Sequence, residues 1–553
     1  MKYAQLFNRK ATHQSQPIPG AGQVQNSAGG YAWNVDAWMQ LDRFLILGSE
    51  DGTYCIGERK LTIENAKNVI ACLLIDGKRV VKRIVEVSRK GQAPKNDPAI
   101  FALALAASYG DDRSRADALA ALPAVCRTGT HLFQFAEAID GLRGWGRGLR
   151  RAVGRWYNEK SVAELQYQLA KYVQRGGWSH RDMLRLAHPV PVTDEHKALY
   201  QWVVKCSGTS VSDVVFSTVP VEGHGRDAHE DLGRDGQATG QATFKLIEAV
   251  ERLKTADAKA AAAIVRDNRV PREAVPTELL KEPLVWEALL EDMPMTAIIR
   301  NLATMTRIGL VKPGSEAAET VAFRLADADR LKQANVHPMA LLIAQRTYAS
   351  GHGLKGSGIW APVPAIIDAL DAAFYLAFVN VESTGKRYLL GVDVSGSMSW
   401  AGVAGSPLTA CEAATAMAMV TIASEKTVFP MAFAHVFKPL PLSRRMRLDD
   451  ALRYTRNQNF GATDCALPML YAIEHELEVD AFAVYTDNET WAGNVHPAQA
   501  LREYRQKSGI AAKLVVVGIA SNGFSISDPN DGGMLDVVGF DTTVPQVMAE
   551  FVK

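Results

Sequence analysis

Three oxygen-bearing side chains follow a short apolar run near residue 393. The stretch GVDVSGSMSW, residues 391–400, places Asp393, Ser395 and Ser397 at alternate positions directly after RYLLGV. This spacing puts the three side chains on one side of an extended or tightly turned backbone. Three hard oxygen donors on one side could hold a divalent cation, although the same residues also suit an ordinary Ser- and Gly-rich turn between a strand and a helix.

Two further oxygen-bearing residues lie near the ends of other predicted elements. Thr463 belongs to the loop NFGATDC ahead of a predicted helix, and Asp487 ends the apolar run DAFAVYTD. With Asp393, Ser395 and Ser397 they supply two carboxylates and three hydroxyls. This set suits Mg²⁺ first and Mn²⁺ next, and it holds zinc poorly because zinc prefers His or Cys ligands. The alternative is that the five residues only cap helices and turns.

Strands and helices alternate after residue 384, and this alternation must position the oxygen donors. The short apolar runs of strand type are RYLLGVDVS, VFPMAFAHV, DAFAVYTD and AKLVVVGIA, and predicted helices separate them. The pattern predicts a domain over 384–553 with a mostly parallel sheet covered on both faces. Such sheets bind ligands beyond the carboxyl ends of their strands, where Asp393 and Asp487 fall.

The preceding residues have a different pattern. Residues 1–40 are rich in Gln, Gly, Ser and Pro and are predicted to form an irregular N-terminal arm. Over 41–375, Ala- and Leu-rich stretches of helical period alternate with short breaks, and only GTYCIGERKLT suggests a β-ribbon. Helix pairs without a strand-rich core predict an α-solenoid of HEAT-like repeats. The expected fold is therefore multidomain, an α-solenoid followed by an α/β domain.

Composition excludes some function classes without choosing one. The 553-residue chain is 47% hydrophobic with a formal net charge of +1, so overall charge indicates no partner. Its six cysteines are scattered without a CxxC pair, which fits a reducing compartment, and no apolar run approaches a membrane span. We therefore expect a cytoplasmic protein that does not insert into membranes. The absence of P-loop, GxSxG and HExxH motifs argues against an enzyme.

Positive charge is concentrated between residues 127 and 190. This segment has eleven basic and five acidic side chains, a local net charge of +6, whereas 386–553 has a local net charge of −4. Arg147, Arg151 and Arg155 recur every four residues, which predicts one basic stripe along a helix.

Two more groups of basic residues follow the stripe. Lys171 and Arg175 are predicted to repeat its spacing on the next helix. Ser179 with Asp182 three residues later predicts the N-terminus of a third helix. The basic residues of this third helix are Arg181, Arg185 and His188. Rows of basic residues on successive helices would suit RNA phosphates, although solvated helix faces explain them equally well.

The oxygen donors resemble the metal-ion-dependent adhesion site (MIDAS) of von Willebrand A domains, whose pattern is DxSxS followed by a Thr and an Asp. The resemblance implies a Rossmann-like A-type domain. In it Ser395, Ser397 and Thr463 would ligate the metal directly, while Asp393 and Asp487 would act partly through water. A coordination position left open would accept a carboxylate from a protein partner.

Several longer blocks resemble the TROVE domain of the Ro ribonucleoprotein family, in particular its bacterial members. The most specific blocks are RTGTHLFQFAEAI, WGRGLRRAVGRWYNEK, KYVQRGGWSHRDMLRLAHP and HPMALLIAQRTYASGHGLKGSGIW. TGKRYLLGVDVSGSM then follows as the A-type domain does in that family, so the resemblance covers residues 41–553. It implies a ring of HEAT-like repeats closed by the A-type domain.

The resemblance also implies a noncatalytic RNA-binding protein of noncoding RNA quality control, processing and stress response. Small noncoding Y RNAs would bind an outer basic surface, and single-stranded 3′ ends of misfolded RNAs would enter a central hole. The RNA-contacting positions of the family correspond to Lys171, Arg175 and His188. The neighbouring basic residues that we expect to contribute are Arg147, Arg151, Arg181 and Arg185. A monomer is expected, with a 3′-to-5′ exoribonuclease as protein partner.

Alternative interpretations remain for three features. The protein could be a metal-dependent protein-adhesion scaffold, in which the helical repeats bind proteins and RNA is incidental. His188, which precedes a proline, could be a simple C-terminal helix cap. The insert EGHGRDAHEDLGRDGQATGQ, residues 222–241, departs from the family pattern. Its His224, His229 and Glu230 resemble metal ligands, but we expect a solvated loop.

Overall fold

The computed structural model describes most of the chain. The described residues are 11–26, 29–34, 37–47, 61–90, 93, 95–205, 244–353, 358–400, 402–403, 406–456, 463–486, 490–519, 524–528, 530–538 and 544–553. Three features predicted from the sequence lie outside the described residues. They are the ligand Asp487, the insert 222–241 with His224, His229 and Glu230, and most of the ribbon GTYCIGERKLT.

The chain forms two compact units. The first comprises Met1–Cys72, Lys90–Pro98 and Ala318–Lys553, and the second comprises Leu73–Arg89 and Ala99–Ala317. The unit boundaries near residues 72 and 318 fall inside the helical region predicted over 41–375. The first unit therefore includes helices from that region together with the strand-rich C-terminal part.

Numbered in chain order, the helices of the described residues are α1 (Ala37–Leu47), α2 (Lys67–Lys90), α3 (Asp97–Tyr109), α4 (Asp112–Val125), α5 (Gly129–Leu142), α6 (Arg147–Asn158), α7 (Val162–Lys171), α8 (His180–Ala187), α9 (Asp194–Lys205), α10 (Lys245–Leu253), α11 (Ala258–Asn268), α12 (Pro283–Glu291), α13 (Met295–Arg307), α14 (Glu316–Leu325), α15 (Ala328–Gln333), α16 (Pro338–Ala349), α17 (Pro364–Leu376), α18 (Gly396–Trp400), α19 (Ala410–Ser424), α20 (Leu448–Arg456), α21 (Leu467–Glu474), α22 (Pro497–Ser508) and α23 (Val544–Val552).

The strands of the described residues are β1 (Val24–Gln25), β2 (Tyr31–Asn34), β3 (Gln174–Arg175), β4 (Trp178–Ser179), β5 (Arg387–Asp393), β6 (Thr427–Phe433), β7 (Phe437–Pro439), β8 (Ala481–Thr486), β9 (Lys513–Gly518), β10 (Phe524–Ser525) and β11 (Met534–Val538). Short 3₁₀ helices lie at Ile63–Ala66, Arg272–Ala274, Leu279–Lys281 and Ala377–Asn380.

Helices make up most of the second unit, and their sequences explain where they begin. The Asp111, Thr128 and Ser161 side chains accept hydrogen bonds from backbone amides at the starts of α4, α5 and α7, which satisfies donors that have no partner within the helix. Contacts join α4 with α6, α6 with α8, α8 with α9, and α10 with α11. None of the described helices is both long enough and apolar enough to cross a membrane.

Six strands form one mostly parallel sheet in the first unit. Their order is β11-β9-β8-β5-β6-β7, and only β7 pairs antiparallel. All of β8 is buried, as is β5 after its first residue, because helices cover both faces of a parallel sheet. The fold class predicted from the sequence, a helical region followed by a mostly parallel α/β domain, is confirmed.

The strand order positions the oxygen donors. Strand β5 pairs with β6 on one side and with β8 on the other. The chain therefore runs from β5 to β6 on one side and later crosses to β8 on the other, and a switch of this kind is where such sheets bind ligands, at the carboxyl ends of β5 and β8. Asp393 is the last residue of β5, and β8 ends at Thr486.

Residues 24–34, which the sequence suggested to be part of an irregular arm, contain two short strands. β1 pairs with β2, and β2 pairs in turn with β10, all antiparallel. The Trp33 side chain is 3% exposed and belongs to the core around the six-stranded sheet, where its indole Nε1 donates to the Ala21 carbonyl at 2.9 Å. The N-terminal segment is thus part of the first unit.

Candidate functional site

Helix α6 presents the predicted stripe of arginines. Arg147, Arg151 and Arg155 are all exposed. The buried face of the helix carries Leu149, Ala152, Val153, Trp156 and Tyr157. Apolar residues on one face and arginines on the other explain why this segment folds as a surface helix.

Arg175 does not lie on a helix, so the predicted repeat of the helical spacing from Lys171 to Arg175 is wrong. Lys171 is the last residue of α7, and Arg175 lies in β3, which pairs with β4 as a tight hairpin. The loop between them is Gly176-Gly177, with φ values of +57° and +83°. Two consecutive positive φ values favour glycine, and such a loop matches the twist of a β-hairpin.

The hairpin is fixed to its neighbours on both sides. A Cβ atom on Gly176 would lie 2.7 Å from Oε2 of Glu137 in α5, so the hairpin loop runs close to that helix. On the other side, the Trp178 ring lies 5.9 Å from the ring of Trp145, two residues before α6. The hairpin therefore holds Arg175 next to elements that carry other basic residues.

Helix α8 begins at the predicted N-cap. The Ser179 hydroxyl accepts from the Asp182 amide, and the Asp182 carboxylate accepts from the Ser179 amide at 2.9 Å, which forms a capping box. Along this helix Arg181 is half-buried and Arg185 is exposed. The exposed His188 caps the C-terminus in a left-handed conformation, with φ of +47°, and its amide donates to the Leu184 carbonyl at 3.0 Å.

His180 is a buried residue that the sequence interpretation missed. Its Nδ1 lies 2.7 Å from the Tyr157 hydroxyl, and a Cβ on Gly129 would come within 2.8 Å of its Nε2. Burial lowers the pKa of His180 to about 3, against an opposing effect of hydrogen bonds to the Gln168 and Tyr172 backbones. The available signal was the period of α8, which places His180 on the same face as the buried Met183 and Leu184.

Lys171 is held by aromatic neighbours. Its Nζ donates to the Tyr167 hydroxyl at 2.8 Å and lies 5.1 Å above the Tyr167 ring. These contacts fix the ammonium at the end of α7 without neutralising it.

Most of the predicted basic residues have no carboxylate partner. In the ranges that the structure describes, Arg147, Arg151, Arg175 and Arg185 form no ion pair, whereas Arg155 lies 3.7 Å from Glu159. Their guanidinium groups are therefore available to an external anion. We refer to the following residues as the basic surface: Arg147, Arg151, Lys171, Arg175, Arg181, Arg185 and His188.

The first three oxygen donors cluster at the end of β5. The Asp393 side chain is fully buried, and its Oδ1 accepts from the Ser395 amide at 2.9 Å. The Ser395 and Ser397 hydroxyls lie 3.1 Å apart, and Ser397 is exposed. The two hydroxyls thus lie next to each other, just beyond the end of β5.

The Thr463 loop lies at the same edge of the sheet. The Asp464 amide donates to the Ala434 carbonyl just after β6, and the Val394 amide donates to the Phe433 carbonyl at the end of β6. The Thr486 hydroxyl donates to Asp393 Oδ2 at 2.8 Å and lies 3.8 Å from Cys465 Sγ. These contacts bring the loop that carries Thr463 close to Asp393.

The donor chemistry at this edge fits a hard divalent cation. The described members are one buried carboxylate and hydroxyls at Ser395, Ser397 and Thr463, all of them oxygen ligands of the kind that Mg²⁺ takes. Asp487, which directly follows β8, lies outside the described residues. Among the described residues, no group of three or more His, Cys, Asp or Glu is arranged to hold a metal.

A network around Gln14 was not predicted. Gln14 is fully buried, and its amide bonds to the Asp464 carboxylate, the Val495 carbonyl and the Thr490 hydroxyl. Burial raises the pKa of Asp464 to about 6, against the opposing effect of hydrogen bonds from the Ala466 amide and Gln14. A lone glutamine in a polar N-terminal stretch gives no sequence signal for such a contact.

The sequence matches two family models that together span most of the chain. Residues 24–347 match the model described as the TROVE domain. Residues 387–552 match the model described as the Ro60 vWA domain.

Two curated relatives are similar over nearly their whole length. The RNA-binding protein RO60 of Caenorhabditis elegans is 38% identical over 591 residues, which cover 96% of this chain and 90% of the relative. The RNA-binding protein RO60 of Deinococcus radiodurans is 40% identical over 534 residues, which cover 96% of this chain and 95% of the relative. Both are named as RNA-binding proteins rather than as enzymes, in agreement with the prediction of a noncatalytic protein.

A solved structure has the same fold. The crystal structure of the Deinococcus radiodurans RO (RSR) protein matches with a TM-score of 0.74 and 38% sequence identity. The match covers 94% of this chain and 99% of that chain.

Proposed function

Because the chain belongs to the Ro family of TROVE-domain proteins, we propose that it binds RNA through its basic surface. The observation that carries the proposal is the set of exposed arginines without carboxylate partners on α6, the β3–β4 hairpin and α8. A planar guanidinium can donate two parallel hydrogen bonds to one phosphate. Elements in mutual contact present these groups, so one RNA could engage several of them.

Binding of this kind is dominated by phosphate contacts. Each basic residue that neutralises a phosphate releases a condensed counterion, so affinity falls as salt rises. The overall charge of +1 is too small to attract RNA. The local excess of positive charge between residues 127 and 190 supplies the attraction for phosphates.

A finer proposal concerns the kinds of RNA. Structured small noncoding Y RNAs would bind the basic surface, with Lys171, Arg175 and His188 in contact with the RNA, and single-stranded 3′ ends of misfolded RNAs would enter a central hole. This division follows from the family resemblance. The protein would then act in noncoding RNA quality control, processing and stress response in the cytoplasm, together with a 3′-to-5′ exoribonuclease.

The A-type domain would bind Mg²⁺, or Mn²⁺ in its place, through Asp393, Ser395, Ser397, Thr463 and Asp487. The buried Asp393 carboxylate beside the Ser395 and Ser397 hydroxyls supports this assignment. The bound metal would offer an open coordination position to a carboxylate of a protein ligand. Adhesion of such a ligand is the second candidate function, and the exposure of Ser397 favours it because a ligand could reach the metal from that side.

The RNA proposal is tested by removing two positive charges from the basic surface. We expect the double variant Lys171→Ala with Arg175→Ala to bind a Y-like RNA about tenfold more weakly than the parent, because phosphate contacts are lost at two positions. Filter binding measures the affinity, and a thermal unfolding curve shows whether the fold is retained.

The matched control is the double variant Lys281→Ala with Arg330→Ala. It removes the same charge, but Lys281 and Arg330 already pair with Glu278 and Asp327. Its RNA affinity should stay close to that of the parent. Parent-like binding by the Lys171 and Arg175 variant, with an unchanged melting curve, would show that these residues do not contact RNA.

A further inference from the structure

The N-terminal segment, residues 11–34, is built into the edge of the A-type domain where the proposed metal ligands lie. Gln14 is its central contact and has no solvent exposure. The Gln14 backbone amide donates to the Gly493 carbonyl at 2.9 Å, and the Gln14 carbonyl accepts from the Tyr31 amide at 2.8 Å. Both backbone polar groups of Gln14 are therefore hydrogen-bonded.

The Gln14 side chain uses all of its polar atoms within this edge. Nε2 donates to Asp464 Oδ1 at 2.8 Å and to the Val495 carbonyl at 2.7 Å. Oε1 accepts from the Thr490 hydroxyl at 2.5 Å. One side chain therefore links two loops of the A-type domain, 463–466 and 490–495.

These two loops also bind each other. The Thr463 carbonyl accepts from the Trp491 and Ala492 amides at 3.1 and 3.2 Å, and the Cys465 amide donates to the Thr490 hydroxyl at 3.2 Å. Gln14 completes this network from outside the domain. The residue that it holds most directly, Asp464, is adjacent to Thr463, whose hydroxyl is a proposed metal ligand.

Glycines allow this close approach. A Cβ on Gly493 would lie 2.2 Å from Gln14 Nε2 and 2.4 Å from Asp464 Oδ1, distances that no side chain tolerates. A Cβ on Gly30 would lie 2.1 Å from the Thr490 carbonyl oxygen. The backbones of the domain and of the N-terminal segment can therefore come this close around Gln14 because both positions are glycine.

We infer that Gln14 is a positioning residue of the divalent-cation site, and that the N-terminal segment is a structural part of that site. The inference rests on the metal site proposed above. A hydroxyl ligand such as Thr463 binds a hard cation well only when its backbone is already held in the binding geometry. Gln14 provides this by fixing Asp464 and by joining the Thr463 loop to the loop that contains Thr490.

The test compares Mg²⁺ affinity in four variants of the full chain. Gln14→Ala removes the side chain, and Gln14→Met keeps its length while removing the hydrogen bonds. Gly493→Ala forces a methyl group into the Gln14 contact. Gln499→Ala is the matched control, because Gln499 Oε1 accepts from the Thr12 amide and so binds the same N-terminal segment at a different residue.

Calorimetric titration of Mg²⁺ into metal-stripped protein measures the affinity, and melting temperatures in EDTA report the fold separately. We expect Gln14→Ala, Gln14→Met and Gly493→Ala to bind Mg²⁺ about tenfold more weakly than the parent or worse, as for other residues that orient metal ligands. Gln499→Ala should bind as the parent does. A variant that is destabilised as a whole would be recognised by a lower melting temperature in EDTA, where no metal is bound.

The outcomes separate the inference from the proposal beneath it. A parent chain that binds Mg²⁺, with Gln14 and Gly493 variants that bind it equally well, overturns the role of Gln14 alone. Loss of affinity in Gln14→Ala but not in Gln14→Met also overturns it, because packing rather than hydrogen bonding would then position the loop. A parent chain that binds no Mg²⁺ overturns the metal site and the role of Gln14 together.

Discussion

At the scale of single residues, burial decides what a side chain in this protein can do. His180 and His188 flank one helix, yet His180 is enclosed by Tyr157, Phe133 and the Gln168 backbone while His188 is exposed. The buried imidazole is held neutral, and the exposed one can meet a ligand. We therefore assign His180 to stability and retain His188 as a predicted RNA contact.

The depressed pKa of His180 predicts acid sensitivity. Its folded-state value of about 3 lies below the ordinary value of 6.5, so the unfolded chain binds a proton that the folded chain does not. This residue therefore contributes a loss of stability as pH falls from about 6.5 toward 3, by up to ~1.4 kcal/mol per pH unit. Urea unfolding at several pH values, followed by circular dichroism, should show a shallower pH dependence in His180→Gln.

The parent and the variant are compared by how steeply the free energy of unfolding changes with pH, not by its value at one pH. Replacing His180 also removes packing, so the variant is expected to be less stable at every pH. An unchanged slope in His180→Gln would mean that this imidazole does not cause the acid sensitivity.

Sequence patterns predicted residues whose role depends on local spacing. The Ser179 and Asp182 capping box and the arginine stripe of α6 follow from positions three or four residues apart. Gln14 was beyond reach because its partners lie more than 400 positions away. No local pattern encodes a contact of that kind.

At the scale of elements, the β3–β4 hairpin is the feature that differs most from expectation. The spacing of Lys171 and Arg175 fits a helix, but Gly176 and Gly177 lie directly beyond it. Two consecutive glycines disfavour a helix and permit the tight loop of a hairpin. The turn signal of Gly176 and Gly177 therefore outweighs the four-residue spacing of Lys171 and Arg175.

The hairpin predicts a variant that weakens RNA binding without a change of charge. Gly176→Ala places a side chain at φ of +57° and next to Glu137 Oε2, so the backbone of the loop is strained. The left-handed conformation alone costs about 1 kcal/mol for alanine. We expect RNA affinity to fall because Arg175 is displaced, with a small decrease in melting temperature.

Gly141→Ala in α5 serves as the control for this variant. A Cβ on Gly141 would meet no atom within 4 Å, and its φ is not positive. Filter binding with the same RNA should give the parent affinity for Gly141→Ala. Parent affinity in Gly176→Ala would show that the hairpin does not present Arg175 to RNA.

At the scale of the whole molecule, the two proposed sites belong to different compact units. The basic surface lies in the second unit and the oxygen donors lie in the first. The change from helical period to strand–helix alternation near residue 384 was visible in the sequence and gave the fold class. The inclusion of residues 11–34 in the first unit was not visible, because short strands such as β1 and β2 carry little periodicity.

Because the basic surface and the proposed metal ligands belong to different units, we expect metal binding and RNA binding to be independent. Asp393→Ala should lose the thermal stabilisation that Mg²⁺ gives to the parent, which grows as RT ln(1 + [L]/Kd). The remaining hydroxyls hold a hard dication poorly without that carboxylate. RNA affinity, measured on the same preparation with and without EDTA, should be unchanged.

Asp480→Ala is the control for the loss of a carboxylate. Asp480 lies just before β8, at the opposite end of the strand from the metal edge, and pairs with Arg387 at 2.8 Å. This variant should be less stable than the parent but should keep the Mg²⁺ response. If RNA binding collapsed together with the metal response in Asp393→Ala, the A-type domain would be part of the RNA site.

The salt dependence of RNA affinity tests the central proposal most directly. If the basic surface binds phosphates at about six or seven positions, the affinity of the parent for a Y-like RNA should fall by ~10³–10⁴ between 50 and 200 mM salt, by analogy with duplex DNA. The double variant Lys171→Ala with Arg175→Ala should show a shallower dependence, since fewer counterions are released. An RNA affinity that does not change with salt would contradict binding by the basic surface.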